Sequence, residues 1–203
     1  MKIAVIDYGM GNIHSVSKAV EVCGGRVVVT GSREQIESCS KIILPGVGAF
    51  DDAVCELERL GLVDFIKEQA EKKPLLGICL GMQLLFESSQ EARSGKGLGI
   101  FKGKVVKFSS RYGEKIPHMG WNNLSDISEG CPLTRGIKEG EQVYFCHSYY
   151  AEPAENDIAA ASCVYGVKFA CAFSRGNVYG VQFHPEKSQS VGLKIFRNFV
   201  ESC

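Results

Sequence analysis

The chain has 203 residues, 45% hydrophobic and 23% charged, and its 23 basic side chains are balanced by 23 acidic ones. That length suits one substantial core, predicted as a single domain over residues 1–203, and the charge balance speaks against nucleic acid or a membrane surface as partner. No apolar run approaches 18 residues, and the opening Met1-Lys2-Ile3-Ala4-Val5-Ile6-Asp7 turns polar too soon for a secretion signal.

Ile3–Ile6 reads as a short buried strand ending in the loop Asp7-Tyr8-Gly9-Met10-Gly11-Asn12. Ile13–Cys23 follows as a helix with Val16, Ala19, Val20 and Cys23 on one face, stopped by Gly24-Gly25. Arg26–Thr30 is the second strand, and Ser32–Gln35 has the spacing of a capping box opening a short helix. Lys41–Leu44 is the third strand, ending in Pro45-Gly46-Val47-Gly48, and two helical segments occupy Ala49–Leu60 and Leu62–Lys72. The apolar run Leu75–Ile78 is the fourth strand. Strands alternating with helices at this spacing predict an α/β fold with a central, mostly parallel sheet and helices on both faces. The site then lies at the carboxyl ends of the strands.

From about Gly97 the texture changes. Gly99–Phe108 alternates loosely, Gln142–Tyr150 is rich in aromatics, and Val167–Phe173 and Val178–Phe183 flank a hairpin turn at Ser174-Arg175-Gly176-Asn177. This half is predicted to add antiparallel strands to the sheet. Ser190–Ser202 closes the chain as a helix with Val191, Ile195, Phe196 and Phe199 facing inward.

The stretch Leu75-Leu76-Gly77-Ile78-Cys79-Leu80-Gly81-Met82-Gln83 carries the chemistry. Gly-x-Cys-x-Gly is the thiol form of the nucleophile elbow, a strand entering a sharp turn and then a helix. Glycines on either side allow strand and helix to approach closely, and the first free N–H groups of the helix favour negative charge at the sulfur or on an oxyanion beside it. A cysteine after a strand is most often a small core residue; here the turn and a partner for the sulfur argue otherwise. A thiol nucleophile is served by a histidine. Of His14, His118, His147 and His184, the last stands in Gln182-Phe183-His184-Pro185-Glu186-Lys187-Ser188, at the end of a strand. Pro185 implies extended backbone, and residues two apart then share a face, so that Glu186 can orient the His184 ring. None of the other three has a carboxylate two residues away. His147 is expected to line a pocket or an interface, and Trp121, the only tryptophan, to be a core anchor.

The Asp7–His14 loop has two glycines of a dinucleotide fingerprint but His14 in place of the third, and no phosphate-cradling Gly-x-x-x-x-Gly-Lys-Ser/Thr occurs. The nine cysteines are odd in number and form no Cys-x-x-Cys pair. Neither a cofactor nor a metal is expected, and the thiols are expected to be reduced in a cytoplasmic protein.

Gly77–Gln83 and His184-Pro185-Glu186, in that order, resemble the nucleophile and His/Glu motifs of the class I glutamine amidotransferases. Asp7–Asn12, Pro45–Gly48, Pro117-His118-Met119-Gly120-Trp121-Asn122 and Tyr144–Tyr149 extend the resemblance along nearly the whole chain. It implies a Cys79–His184–Glu186 triad that splits glutamine through a γ-glutamyl thioester. It also implies oxyanion donors at Leu80 and at Val47–Gly48, and glutamine-binding positions at Gln83, Ser148 and Tyr149. Among the branches of the family, the motif set points to glutaminases of histidine biosynthesis. These deliver ammonia to a cyclase with a (β/α)8 barrel, here a separate polypeptide, with Trp121 and Lys187 at the interface. The glutaminases of pyridoxal phosphate or anthranilate synthesis match less well, and a non-catalytic docking subunit is at odds with the intact triad. His14 and Cys146 depart from the basic residue and the valine common in that branch, away from the triad.

Overall fold

Four apolar runs in the first 80 residues become neighbouring parallel strands. In the computed structural model, which describes residues 1–93, 96–109 and 113–203, these are β1 (Lys2–Ile6), β2 (Arg26–Thr30), β3 (Lys41–Leu44) and β4 (Leu75–Ile78). Three later strands, β10 (Ala159–Tyr165), β11 (Val167–Arg175) and β12 (Val178–Val181), complete a seven-stranded sheet in the order β10-β11-β12-β4-β3-β1-β2. The five strands from β12 to β2 run parallel; β10 and β11 are antiparallel, joined to β12 through the Gly176-Asn177 turn.

Side-chain alternation along each strand divides the apolar residues between two faces. Ile3 and Val5 pack with helices α1 (Ile13–Val22) and α6 (Gln189–Ser202), through Val16, Val20, Ile195 and Phe199. Ala4 and Ile6 face the other way, onto α2 (Arg33–Glu37), α3 (Phe50–Arg59) and α4 (Leu62–Lys72), through Ile36, Phe50, Leu57 and Ile66. Each fully buried side chain of this kind contributes about 1.5–3 kcal/mol over leaving it exposed. Ser32 caps α2 as predicted, its hydroxyl accepting from the Gln35 N–H at 3.5 Å. Among the described residues no helix is long and apolar enough to cross a membrane.

The second half departs in part from expectation. Only β10–β12 join the main sheet. Strands β5 (Phe86–Ser89), β6 (Phe101–Lys107) and β9 (Tyr149–Pro153) form a separate three-stranded sheet. Strands β7 (His118–Asn123) and β8 (Gln142–His147) pair antiparallel on their own. The reason is amphipathicity. In β8, Val143, Phe145 and His147 are buried and the residues between them are not, which fits a sheet with one covered face rather than a place in the doubly covered centre.

Lys41, at the start of β3, is buried with its ammonium at the end of α6. Its Nζ donates to the carbonyls of Phe199 at 2.7 Å and Val200 at 2.9 Å and to the oxygen of Cys203 at 2.5 Å. A lysine there satisfies carbonyls that a helix end leaves without partners and complements the helix dipole. Replacing it with methionine, similar in length but unable to donate, is expected to cost about 1–3 kcal/mol. Urea denaturation should show this as a lower midpoint with an unchanged slope.

Candidate active site

Because β3, β4 and β12 are parallel, their carboxyl ends form one rim. The last pair between β4 and β12 joins Ile78 and Val181, and the Cys79 N–H donates to the Val181 carbonyl at 2.8 Å. The chain then turns at Cys79, with φ 54° and ψ −112°, a conformation that costs a non-glycine residue about 1–3 kcal/mol. Close packing holds the turn. A methyl group on Gly81 would lie 1.9 Å from the Leu44 carbonyl oxygen, and one on Gly77 would lie 2.8 Å from the Met82 Cα. The helix that follows, α5 (Leu80–Gln83), is a single turn and shorter than the pattern predicts. A dipole built by many aligned peptides is therefore missing; what reaches the sulfur is the first N–H groups, which have no acceptor within the helix.

Three residues past the end of β12, His184 comes to the same rim. His184 and Cys79 are almost fully buried. Burial alone would disfavour the imidazolium, but the contacts of the ring with Cys79 and Glu186 outweigh it and raise its pKa to about 10. Its Nδ1 lies 2.9 Å from Glu186 Oε1. The expected extended backbone is found at His184 but not beyond it. Pro185–Lys187 is a 3₁₀ turn that folds the carboxylate back onto the ring. The Asp7–Asn12 loop also arrives here, and Asn12 Nδ2 donates to the same Glu186 oxygen at 3.4 Å.

A cavity of about 320 Å³ opens beside the sulfur, lined by Cys79, Leu80, His184, Val47, Gly48, Gln83, Ser148 and Tyr149 among others. That volume suits a small metabolite. The predicted nucleophile, base, oxyanion and glutamine-binding positions thus share one space. Gly46 lets the Pro45–Gly48 segment lie directly on the elbow, since a Cβ there would meet the Gly81 nitrogen at 2.6 Å. Buried Tyr8 anchors the segment by donating to the Pro45 carbonyl at 2.8 Å.

The two predicted interface residues are placed differently from each other. Lys187 lines the cavity mouth with its Nζ 5.6 Å from the centre of the Tyr144 ring. Trp121 is not a core anchor. It is 44% exposed on the outer face of β7, alongside Met119 at 61%, because the strand alternates and His118 takes the inward side. His147 lines the cavity as expected, and His14 is exposed on α1.

Sequence reasoning assigned no role to Gln182, Glu91 and Asn12. Gln182 stands beside Cys79 in register, one residue past Val181, and is fully buried; a glutamine at the end of an apolar strand was the available signal. Glu91 lines the cavity with its carboxyl pKa raised by burial, although the Phe50 N–H bonds to it at 3.1 Å. Among the described residues no three His, Cys, Asp or Glu side chains gather as a metal-binding group.

Glu186 favours the charged imidazole, so Glu186→Gln should lower the pKa of the His184 ring, read by NMR titration of the ring nitrogens. The same shift ties stability to pH. The contribution of the His184 contacts is complete below the ordinary value of 6.5 and is lost as pH rises through about 10.

Residues 4–203 match the family model for Glutamine amidotransferase class-I. Over 203 residues the chain is 50% identical to the imidazole glycerol phosphate synthase subunit HisH of Geobacillus kaustophilus, covering 98% of this chain and 95% of that one. It is 46% identical to imidazole glycerol phosphate synthase subunit HisH 1 of Methanococcus maripaludis, covering 98% of each. In fold it resembles the structure of PurLQS from Thermotoga maritima, with a TM-score of 0.77 at 24% identity over 98% of this chain and 97% of that one. With the match running from the first strand to the last residue, the chain belongs to the class I glutamine amidotransferases.

Proposed function

We propose that this chain is the glutaminase subunit of an imidazole glycerol phosphate synthase, acting in histidine biosynthesis as a single amidotransferase domain. Relatedness along almost the whole length to subunits of that name supports the pathway. The observation that carries the chemistry is the shared cavity, where Cys79 and His184 meet and Glu186 holds the ring from behind.

In this reading His184, as imidazolium, keeps Cys79 as thiolate. The sulfur adds to the side-chain carboxamide carbon of glutamine, and the C=O electrons move onto oxygen. The Leu80 N–H and an N–H of the Val47–Gly48 segment receive that oxyanion. His184 gives its proton to the amide nitrogen, the C–N bond breaks, and ammonia leaves a γ-glutamyl thioester. Water then attacks the thioester and gives its proton to the neutral ring; the C–S bond breaks and glutamate is released. Gln83, Ser148 and Tyr149 hold the substrate.

Ammonia freed in open water would be protonated and lost as a nucleophile. A cyclase subunit with a (β/α)8 barrel, docked on the face bearing Trp121 and Lys187, receives it and makes imidazole glycerol phosphate and an aminoimidazole carboxamide ribotide. Exposure of Met119 and Trp121 on β7, where Met119 pairs with the cavity-lining Cys146, supports that docking face. Nine unpaired cysteines suit the reducing cytoplasm.

In the complex with the cyclase, Cys79→Ala should abolish synthesis from glutamine and spare synthesis from added ammonia; loss of both would point to a failed fold or interface. Glutamine hydrolysis by the chain alone should be slow and should rise when the cyclase and its ligand are added. Fast turnover independent of a partner would overturn the assignment to this synthase.

A further inference from the structure

The wall behind the sulfur is polar, buried and directional. Gln182 is fully buried, with its Nε2 3.8 Å from the Cys79 sulfur. Its Oε1 accepts from Gln83 Nε2 at 3.0 Å, and the same Gln83 nitrogen donates to the Tyr149 carbonyl at 3.0 Å. That carbonyl also takes His147 Nδ1 at 2.7 Å. His147 Nε2 lies 3.0 Å from His118 Nδ1, and His118 Nε2 lies 3.2 Å from Asn122 Nδ2.

One chemical fact orders these contacts: a carbonyl oxygen only accepts. His147 therefore carries its proton on Nδ1 and accepts at Nε2, which requires His118 to donate from Nδ1. His118 Nε2 then accepts from Asn122, whose amide is itself fixed, with its nitrogen on the Val164 carbonyl at 2.9 Å and its oxygen on the Asn123 N–H at 2.8 Å. On the other side, the atom of Gln83 that meets the Tyr149 carbonyl must be its nitrogen. The Gln182 atom that meets this nitrogen must be oxygen, which turns the Gln182 NH₂ to the sulfur.

We propose that Gln182 is a further catalytic residue of the amide-splitting site. Its side-chain NH₂ donates to the Cys79 sulfur, and its orientation is locked by the Gln83 NH₂, itself fixed on the Tyr149 carbonyl; the neutral His118–His147 pair donates to that same carbonyl from the other side and holds it in place. The inference rests on the glutaminase reading of the site. If the amide turned over, an oxygen lone pair would face a sulfur that carries negative charge before each attack. The Gln83 contact makes that turn unfavourable by leaving the buried Gln83 NH₂ against a second donor. His118 and His147 are positioning residues. Both suit the role, since burial keeps the rings neutral. It lowers the pKa of His118 to about 4. For His147, burial first and then the neighbouring His118 and His184 bring it to about 3, against the pull of the Tyr149 carbonyl. His118 is also clamped in place, stacked on Phe145 at 4.5 Å and on Tyr165 at 3.9 Å between ring centres.

The test begins with the complex of this chain and its cyclase. If the parent hydrolyses glutamine and Cys79→Ala does not, the glutaminase reading stands; if the parent does not, that reading fails first. Ring ¹⁵N spectra of the histidine-labelled parent, assigned with His118→Phe and His147→Phe, then read the histidine pair directly. Both rings should be neutral, with protonated Nδ1 and bare Nε2. An Nε2–H tautomer or a cation at neutral pH in either ring overturns the part given to the histidine pair in holding the Tyr149 carbonyl. In kinetics, Gln182→Met, which keeps the length and removes the donor, should lower kcat for glutamine roughly 10-fold with KM changed less than about 2-fold. His118→Phe, which keeps the stack and removes the donor, should lower kcat by about 3-fold. His147→Asn, which retains a donor for the Tyr149 carbonyl, should keep more activity than His147→Phe. An unchanged kcat in Gln182→Met that still binds the cyclase overturns the proposal, as does equal loss in the two His147 variants. If Gln182→Met fails to fold, Gln182→Leu, which also removes the donor, takes its place with the same two outcomes.

Discussion

The register between β4 and β12 carries the site. Leu75 to Ile78 lie against Val178 to Val181, residue for residue, and the groups that follow each strand are thereby set side by side: Cys79 after one, Gln182 and His184 after the other. Side chains alternate along a strand, so a slip of one residue would turn Gln182 and His184 away from the sulfur and bring Phe183 to it. Burial on both faces of the sheet prevents that slip. Val178 and Val181 pack into opposite cores, and a shift would exchange their sides. The precision of the site is thus inherited from apolar packing at a distance from it.

Much of this was legible in the residues. Apolar runs of four or five bounded by glycine, proline or capping residues marked the parallel strands, and the Gly77 and Gly81 flanks marked the turn, because those signals are local and the physics behind them is steric. The less legible parts are those settled by contacts between distant segments. Nothing in Gln142–Tyr150 says whether its strand enlarges the main sheet or pairs with β7 alone; that choice depends on which face finds cover. Trp121 reads as core by composition and is exposed because His118, three residues earlier, occupies the inward side of the same strand. Glu186 was matched to His184 by an extended-chain argument, and the meeting occurs through a 3₁₀ turn. Gln182 was in plain view as a glutamine ending an apolar strand, but its role was not, since the atoms that orient its amide come from positions 83 and 149.

The region around the sulfur uses few full charges. Beyond the His184–Glu186 pair, most of the polar contacts behind the cavity are amides, carbonyls and neutral rings, each placed by another. An uncharged network is inexpensive to bury when every member is satisfied and costly when one is not. It also makes no strong field of its own beside the His184–Glu186 pair.

Cys79 occupies backbone space that suits glycine. A chain selected for endurance alone would put glycine there: the strained turn would relax, and the gain would be about 1 kcal/mol or more after the greater freedom of the unfolded glycine is counted. At this one position durability and reactivity call for different residues, and a stabilised relative of this protein that has lost its sulfur would be recognisable as a retired enzyme rather than an improved one.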